Sequence, residues 1–500
     1  MTACYITTAI PFVNARPHLG FAYELVLADV LVRHRRRRGR DTRFVTGSDD
    51  NSLKNVAAAA REGVATEALV ERNAAAFRAL GPLLDVAPDD FVRTSIDPRH
   101  RTAVDWLWRA VAARGDLFRR RWTGRYCAGC EAFVDDGVAV CAEHGTAPEP
   151  VSEDNWFFRL SRWREPVRDA ITSGRLAIVP DAARAETLAF LAGEVRDLSV
   201  SRVASRAGGW GIPVPDDPDQ VIYVWFDALT NYLSALDLGG DLGGELLARY
   251  WTGGGERVHV IGKGITRFHA VYWPAFLLSA GLPLPDRICV HGYLTIDGEK
   301  IAKSGRSVEV GPIVERLGAD ALRWYFVRRC RTRSDADVVT GAIASAYDLD
   351  LADGLGNLVQ RGTQLGARLG VPIERPSAES PDAAALRGLA EALPARIDAA
   401  LDAFLPDDAA AAIVELIDAA NRTIERTAPW RIARGDPAAA AAALYAPLEA
   451  ARIAAGELLP FVPGAARTVL ARLGDPVGDP QWGRAPGVLA AGAPPLPRKS

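Results

Sequence analysis

The feature that most restricts the fold is a pair of short repeats, Cys127-Ala-Gly-Cys130 and Cys141-Ala-Glu-His144, in a chain with only six cysteines. Two close pairs on tight turns supply the four soft or borderline ligands that Zn²⁺ takes in a tetrahedron, without needing a large core. Three thiols and one imidazole close the coordination shell, so a zinc ion held by Cys127, Cys130, Cys141 and His144 is expected to be structural. The knuckle interrupts an α/β unit that starts with the first residues, which marks a large insertion in a nucleotide-binding fold.

Around that insertion strands and helices alternate. The apolar run Ala3 to Val13 leads into Pro17-His18-Leu19-Gly20-Phe21 and then a helix-periodic stretch from Glu24 to Arg38. Strand-like runs follow at Thr42–Thr46, Val221–Trp225, Val258–Ile261 and Asp286–Tyr293. This order predicts an α/β fold with a parallel, doubly wound Rossmann-like sheet whose ligands sit at the carboxyl ends of strands. From about residue 340, alanine, leucine and arginine recur at helical spacing near 342–370, 382–404, 406–427 and 437–457, which predicts an all-α bundle. The stretch from Pro476 to Ser500 is rich in proline and glycine and is expected to lie along the surface or stay disordered.

Composition narrows the function. With 49% apolar residues and a formal charge of −3, the chain can bury substantial cores and must meet any nucleic acid through local patches. No apolar run is long enough to span a bilayer and no charged leader precedes the first strand, so a cytoplasmic protein with reduced thiols at Cys4, Cys289 and Cys330 is expected. It is also expected to be a monomer. Of 59 basic residues only five are lysine, namely Lys54, Lys263, Lys300, Lys303 and Lys499. Lys300 and Lys303, three apart on a glycine-flanked loop, therefore suggest mobile ammonium groups on a polyphosphate, the alternative being a solvated loop. His18 and Gly20 open a helix whose first N–H groups and dipole suit a phosphate. Asp49, at a strand end, suits either an ammonium group or a turn.

These pieces in this order resemble a known family. Pro17-His18-Leu19-Gly20 is similar to the HIGH signature of class I aminoacyl-tRNA synthetases, and Lys300-Ile-Ala-Lys303-Ser304 to their KMSKS loop. Thr7-Thr-Ala-Ile-Pro-Phe-Val-Asn14, Ser152-Glu-Asp-Asn-Trp-Phe-Phe-Arg159, Tyr223-Val-Trp-Phe-Asp-Ala-Leu-Thr-Asn-Tyr232, Phe268-His-Ala-Val-Tyr-Trp-Pro274 and Gly318-Ala-Asp-Ala-Leu-Arg323 narrow the resemblance to the methionyl-tRNA synthetase family. It covers residues 3 to 460, and the knuckle stands where that family has one.

The resemblance implies ATP-dependent activation of methionine or a methionine-like amino acid, with ATP and Mg²⁺ as substrate, followed by transfer to tRNA. It implies that His18, Lys300 and Lys303 are catalytic and that Gly20, Phe21, Gly262, Lys263, Gly264 and Ser304 join them at the nucleotide. Asp49 would hold the substrate ammonium. Ala9, Ile10, Phe12, Trp225, Ala228, Leu229, Tyr232, Ile265, His269 and Trp273 would line the side-chain pocket, with His269 offering a hydrogen to sulfur. Asn357, Arg361 and Trp430 would read and stack on the anticodon, as single-stranded loops are read. It implies a catalytic first half over 1–118, a connective insertion over 119–221 with the knuckle at 127–144, and a second half over 222–304. The KMSKS-like loop and linking helices span 305–345, the anticodon-binding-like domain 346–475 and the tail 476–500.

The departures from the family cluster near the nucleotide. Phe21 replaces the second histidine of HIGH, Ser48-Asp49-Asp50-Asn51-Ser52 stands for Thr-Asp-Glu-His-Gly, Gly264 for the aspartate of Gly-Lys-Asp, and Ala302 for a serine. Phe12 lacks a hydroxyl common at its position. Three readings remain open: a divergent methionyl-tRNA synthetase; a ligase of specialised metabolism, as in hydrazine synthetases, that esterifies a small hydroxyl or N-hydroxyl acceptor; and a non-catalytic regulator that binds tRNA or an amino acid.

Overall fold

The computed structural model describes residues 3–127, 132–134, 137, 139–141, 145–206, 208–240, 244–300, 309–475, 477–484, 489 and 491–500. The chain forms two compact units, one of Met1–Ala28, Arg35–Pro82 and Val86–His291, the other of Asp29–His34, Leu83–Asp85 and Gly292–Ser500.

The first unit is built on six strands, β1 (Ala3–Thr8), β2 (Asp41–Ser48), β3 (Asp90–Arg93), β4 (Ala177–Val179), β5 (Glu256–Gly262) and β6 (Arg287–His291). They pair in the order β3-β2-β1-β5-β6-β4, all parallel. Cys4 lies opposite Thr42 on one side and Glu256 on the other. Strands this apolar belong in a sheet covered on both faces. The order reverses direction between β1 and β5, which leaves a crevice past their carboxyl ends. Gly47 is required by the close approach of β3, since a Cβ there would stand 2.2 Å from the Val92 carbonyl oxygen.

The strands differ from expectation in two ways. The strand predicted over Val221–Trp225 ends at Ile222 and is antiparallel to Ser201–Val203 in a separate three-stranded sheet. Val224 opens the helix Val224–Ser234, with Asp227 in its first turn. The run is apolar at nearly every position because that helix is buried almost all round, and a buried helix has no period that separates it from a strand. The other is that neither β3 nor β4 is among the predicted strands: β3 interrupts a stretch expected to be helical up to about Arg114, and β4 lies at 177–179, inside the segment expected as insertion. The remainder of that segment includes a long antiparallel pair, Leu117–Cys127 with Glu149–Phe158, in register from Leu117↔Phe158 to Tyr126↔Glu149.

The second unit is mainly helical. Ile343–Tyr347 runs through wide π-helical turns, Asp348–Gly356, into Asn357–Leu369. Pro381–Asp402, Pro406–Thr427 and Pro437–Leu458 come next, each with proline at its start, where the missing N–H costs nothing. Gly362 lets the helix Pro437–Leu458 approach, since a Cβ there would meet Leu448 Cδ2 at 2.6 Å. The described part of the 476–500 stretch is anchored, with Leu489 and Leu496 buried. Leu496 closes on Gly356 and Leu489, together with Ile373, on Gly366, while Asp348 accepts the backbone N–H groups of Lys499 and Ser500. Composition alone hides two such anchors among prolines and glycines. Among the described residues no helix is long and apolar enough to cross a membrane.

Arg323 holds part of this unit together. Fully buried, it donates to the carbonyls of Leu84, Pro460 and Phe461 and pairs with Asp29 at 2.7 Å. A buried ion pair broken from one side costs about 3–5 kcal/mol. Arg323→Leu should lower the unfolding free energy of this unit by about that amount in urea titrations.

Candidate functional site

The crevice between β1 and β5 collects the expected residues of the first unit. Past Thr8 the chain turns, and the Ala9 N–H donates to the Glu24 carboxylate (2.9 Å) and to Val260 O (3.2 Å). The other Glu24 oxygen meets His291 Nε2 at 3.1 Å, beside Gly262. Sequence reading does not single out this pair, because its members lie 267 residues apart. His18 opens the helix Leu19–Arg37, its carbonyl accepting from the N–H groups of Phe21 and Ala22. Its Nδ1 accepts from the Gly20 N–H (3.1 Å), so the ring hydrogen sits on Nε2. No acidic residue occupies the first turn, which leaves the positive helix end unneutralised, as an anion site needs. Phe21 packs edge-on against Phe77, with centroids 5.1 Å apart, in place of a polar contact. Lys263 and Gly264 are exposed beyond β5.

Beside them stands an aromatic box. Trp225 stacks on Phe268 (3.7 Å, 8°) and meets Phe12 edge-on at 6.1 Å. Tyr232 stacks on His259 at 4.2 Å, and Trp273, fully buried, donates its indole N–H to His259 Nε2 (3.2 Å). Ala9, Ala228 and Leu229 are buried, whereas Ile10, Phe12, Trp225 and Ile265 are partly open. Phe268 and His259 join the box although sequence reasoning gives them no role there; Phe268 opens a matched motif and His259 lies within β5. The π-helical turn Phe268–Tyr272 turns Phe268 and His269 to the box.

The hydrogen-donor role expected of His269 is corrected by its bonding. Its Nδ1 donates to the Ile265 carbonyl (3.0 Å), so its Nε2 must accept, and Tyr232 supplies that hydrogen at 2.7 Å. Burial lowers the His269 pKa to about 4, so the ring is neutral at pH 7 and has no N–H left for sulfur. His259 is likewise driven well below the ordinary range by burial, next to His269 and Arg257.

Asp49 is buried at the end of β2 and pairs in a short parallel bridge with Phe12, its N–H donating to Pro11 O. Asn55 Nδ2 donates to the carbonyls of Asp49 and Asp50, and Trp210 Nε1 to that of Asp50 (2.8 Å). Asp50 accepts from Ser48, Arg93 and Ser95, yet burial still raises its pKa. Asn51 Nδ2 reaches Asp227 Oδ2 at 2.8 Å.

In the second unit, Lys300 closes the short strand Glu299–Lys300, whose backbone pairs with Thr295, and Lys303 and Ser304 lie outside the described residues. Asn357 and Arg361 share a face of the helix Asn357–Leu369. The Arg361 guanidinium lies 5.0 Å from the ring centre of the exposed Trp430 and pairs with Glu425 at 2.6 Å. Ala428, left-handed at φ 43, ends one helix and starts the short Pro429–Ile432 helix that presents Trp430. Of the four residues expected to hold zinc, Cys127 ends its strand and Cys141 sits in a turn closed by Gly145 N–H to Cys141 O (2.8 Å); both are buried. Cys130 and His144 lie outside the described residues.

A cleft of about 460 Å³ bounded by Ala3, Asp41, Arg249 and Gly253–Gly255 opens instead at the amino ends of the strands and holds none of the expected site residues. The neutral His269 sets a pH dependence of stability. Above pH 6.5 folded and unfolded chains both hold it neutral. As pH falls toward 4 only the unfolded chain takes up the proton, so up to about 3 kcal/mol of stability is lost. His269→Gln should remove that share of the loss, read as a flatter urea midpoint between those pH values.

Known proteins share this arrangement. Residues 4–141 and 137–363 match the family described as tRNA synthetases class I (M), and 376–490 match the anticodon binding domain of methionyl tRNA ligase. The methionine–tRNA ligase of Brucella melitensis is 38% identical over 488 residues, covering 96% of this chain and 93% of its own. That of Mycobacterium bovis is also 38% identical, over 95% and 92%. The Mycobacterium tuberculosis methionyl-tRNA synthetase in complex with methionyl-adenylate superposes with a TM-score of 0.92 at 36% identity over all of both chains; its apo form gives 0.86 at 35%. The crevice, its aromatic box and the helical unit are therefore those of a member of the class I methionyl-tRNA synthetase family, to which this chain belongs.

Proposed function

We propose that this protein activates methionine with ATP and passes the methionyl group to tRNA. The observation that carries the reading is the box of Trp225, Phe268, Tyr232 and His269 set at the switch point of the sheet, beside the buried carboxylate of Asp49. In that reading Asp49 pairs with the substrate ammonium and the box takes the thioether. Sulfur over or beside aromatic rings gains about 0.3–1.5 kcal/mol. With His269 saturated, selectivity rests on shape and polarisability instead of on a hydrogen bond from its ring.

A methionine carboxylate oxygen then attacks the α-phosphorus of ATP, a new P–O bond forms and the bond to pyrophosphate breaks. The Nε2–H of His18 and the helix start at Gly20 face developing negative charge, and Lys300 and Lys303 supply ammonium groups to the phosphates. Mg²⁺ travels with ATP and neutralises phosphate charge. Gly262, Lys263, Gly264, Phe21 and Ser304 belong to the nucleotide side by their match to the family. Phe21 and Gly264 lack the polar groups of their counterparts, and each charge-assisted hydrogen bond so lost is worth about 1.5–3 kcal/mol.

Transfer to tRNA is supported by the anticodon-domain match and by the Asn357, Arg361 and Trp430 surface, which offers an amide, a guanidinium and an open indole to unpaired bases. The insertion suits a structural zinc ion. Cys127 stands at a hairpin end, paired with Ala132 across the 128–131 connection, and Cys141 lies on a tight turn with Gly145 at φ 65. Cys130 and His144 complete the donor set in sequence, and zinc there would cross-link the two turns.

Methionine-dependent ATP–pyrophosphate exchange is the test. Methionine alone among the proteinogenic amino acids should drive it, and Lys303→Ala should slow it at least about tenfold. Exchange without tRNA charging would point to a small hydroxyl or N-hydroxyl acceptor, and no exchange to a binding protein. Trp430→Ala should lower kcat/KM for tRNA about tenfold to a hundredfold, the worth of one stacked base, and leave exchange unchanged. Metal analysis should find one zinc per chain, lost in Cys130→Ser.

A further inference from the structure

Asn51 stands where the family motif has histidine, and its side chain is built into a buried chain of polar groups. Its Nδ2 donates to Asp227 Oδ2 (2.8 Å) and to Thr94 O (3.2 Å). The other Asp227 oxygen faces His100 Nε2 at 2.5 Å, and His100 Nδ1 meets Ser234 Oγ at 2.9 Å. Ser234 spends its own hydrogen on the Thr230 carbonyl (2.9 Å), so it accepts from His100. Asp227 and His100 are wholly buried and Asn51 is 8% exposed. A carboxylate so placed persists only if donors from the protein replace water.

What these polar groups join matters more than their burial. Asn51 lies two residues past Asp49, on the loop that leaves β2. Asp227 lies two residues past Trp225, in the first turn of the helix that also bears Tyr232. His100 belongs to a third element, the helix Pro98–Ala113. The Asn51–Asp227 bond is thus a direct strut between the ammonium end and the thioether end of the amino-acid site, and His100 fixes the strut from behind.

We propose that Asn51 and His100 are positioning residues for the amino acid, acting through Asp227 to hold Asp49 at a set distance from Trp225 and Tyr232. This rests on the reading of that crevice as the methionine site. A site measured out in this way binds an amino acid through both ends at once, so slackening the strut weakens methionine binding and leaves ATP binding alone.

The experiment is steady-state pyrophosphate exchange with the full chain, with methionine and ATP varied separately. Asn51→Leu should raise KM for methionine about tenfold and keep KM for ATP within about twofold. Asn51→His, which again offers an N–H to Asp227, should stay within about threefold of the parent in both. His100→Gln should follow Asn51→Leu more weakly. If Asn51→Leu does not fold, Asn51→Ser, whose hydroxyl is too short to reach Asp227, carries the same expectation. An equal rise in both KM values, or a lower melting temperature with KM for methionine unmoved, overturns the proposal in favour of plain structural support. Asp49→Asn separates the two levels. If it leaves KM for methionine unchanged, the assignment of the crevice fails; if it raises KM while Asn51→Leu does not, only the strut fails.

Discussion

Strand β1 has a parallel neighbour on each edge and is buried along its length, so its polar chemistry can only appear beyond Thr8. That constraint decides where a ligand can be met. Chain leaving β1 must turn at once, and the Ala9 N–H is shared between Val260 O and Glu24. Phe12, Asp49, Ile265 and His269 all come after the carboxyl ends of β1, β2 or β5. The crevice needs no long excursion of the backbone; it is what a doubly wound sheet leaves open where its strand order reverses.

Inside the crevice, polar groups are buried but committed. Tyr232 donates to His269, His269 to Ile265 O, and Trp273 to His259, which turns its other nitrogen to Thr7 (2.7 Å). Each hydrogen has one place to go, and burial keeps both imidazoles neutral. Networks of this kind favour one arrangement strongly, because any rotation strands a donor in a dry interior. The box therefore presents ring faces and edges in a fixed geometry, which suits an apolar, polarisable side chain.

Much of this is legible in the sequence, for identifiable reasons. β1, β2, β5 and β6 announce themselves as apolar runs ending in polar loops, and the long helices of the second unit announce themselves through 3.6-residue spacing and prolines such as Pro381, Pro406 and Pro437 at their starts. Other features are not. β4 has three residues, too few to show a period, and Val221–Trp225 straddles a strand and a helix that are both buried. Motif matching places His269 in the pocket, but the direction of its hydrogen bonds depends on Tyr232 and Ile265 and exists only in three dimensions. The same holds for Asn51, His100 and Asp227, since Asp227 stands more than a hundred residues from either of its partners.

The notches at Gly356 and Gly366 have a consequence for how this sequence is free to change. Each is a missing side chain at or along the helix that bears Asn357 and Arg361; a Cβ at Gly356 would meet Leu496 Cβ (3.0 Å) and the carbonyls of Leu351 and Leu496, and one at Gly366 would meet Ile373 Cδ1 (2.9 Å) and Leu489 Cδ1 (3.2 Å). A larger residue at Gly366 is tolerable only if the ends of Ile373 and Leu489 give way, whereas at Gly356 the obstacles are a Cβ and two carbonyl oxygens, which no shortening of Leu496 removes. Gly366 is therefore mutationally coupled to Ile373 and Leu489, so energies at these three positions should depart from additivity, while Gly356 has no side chain to compensate it. Drift at Gly366 proceeds by paired substitutions, and change at Gly356 requires the backbone to move.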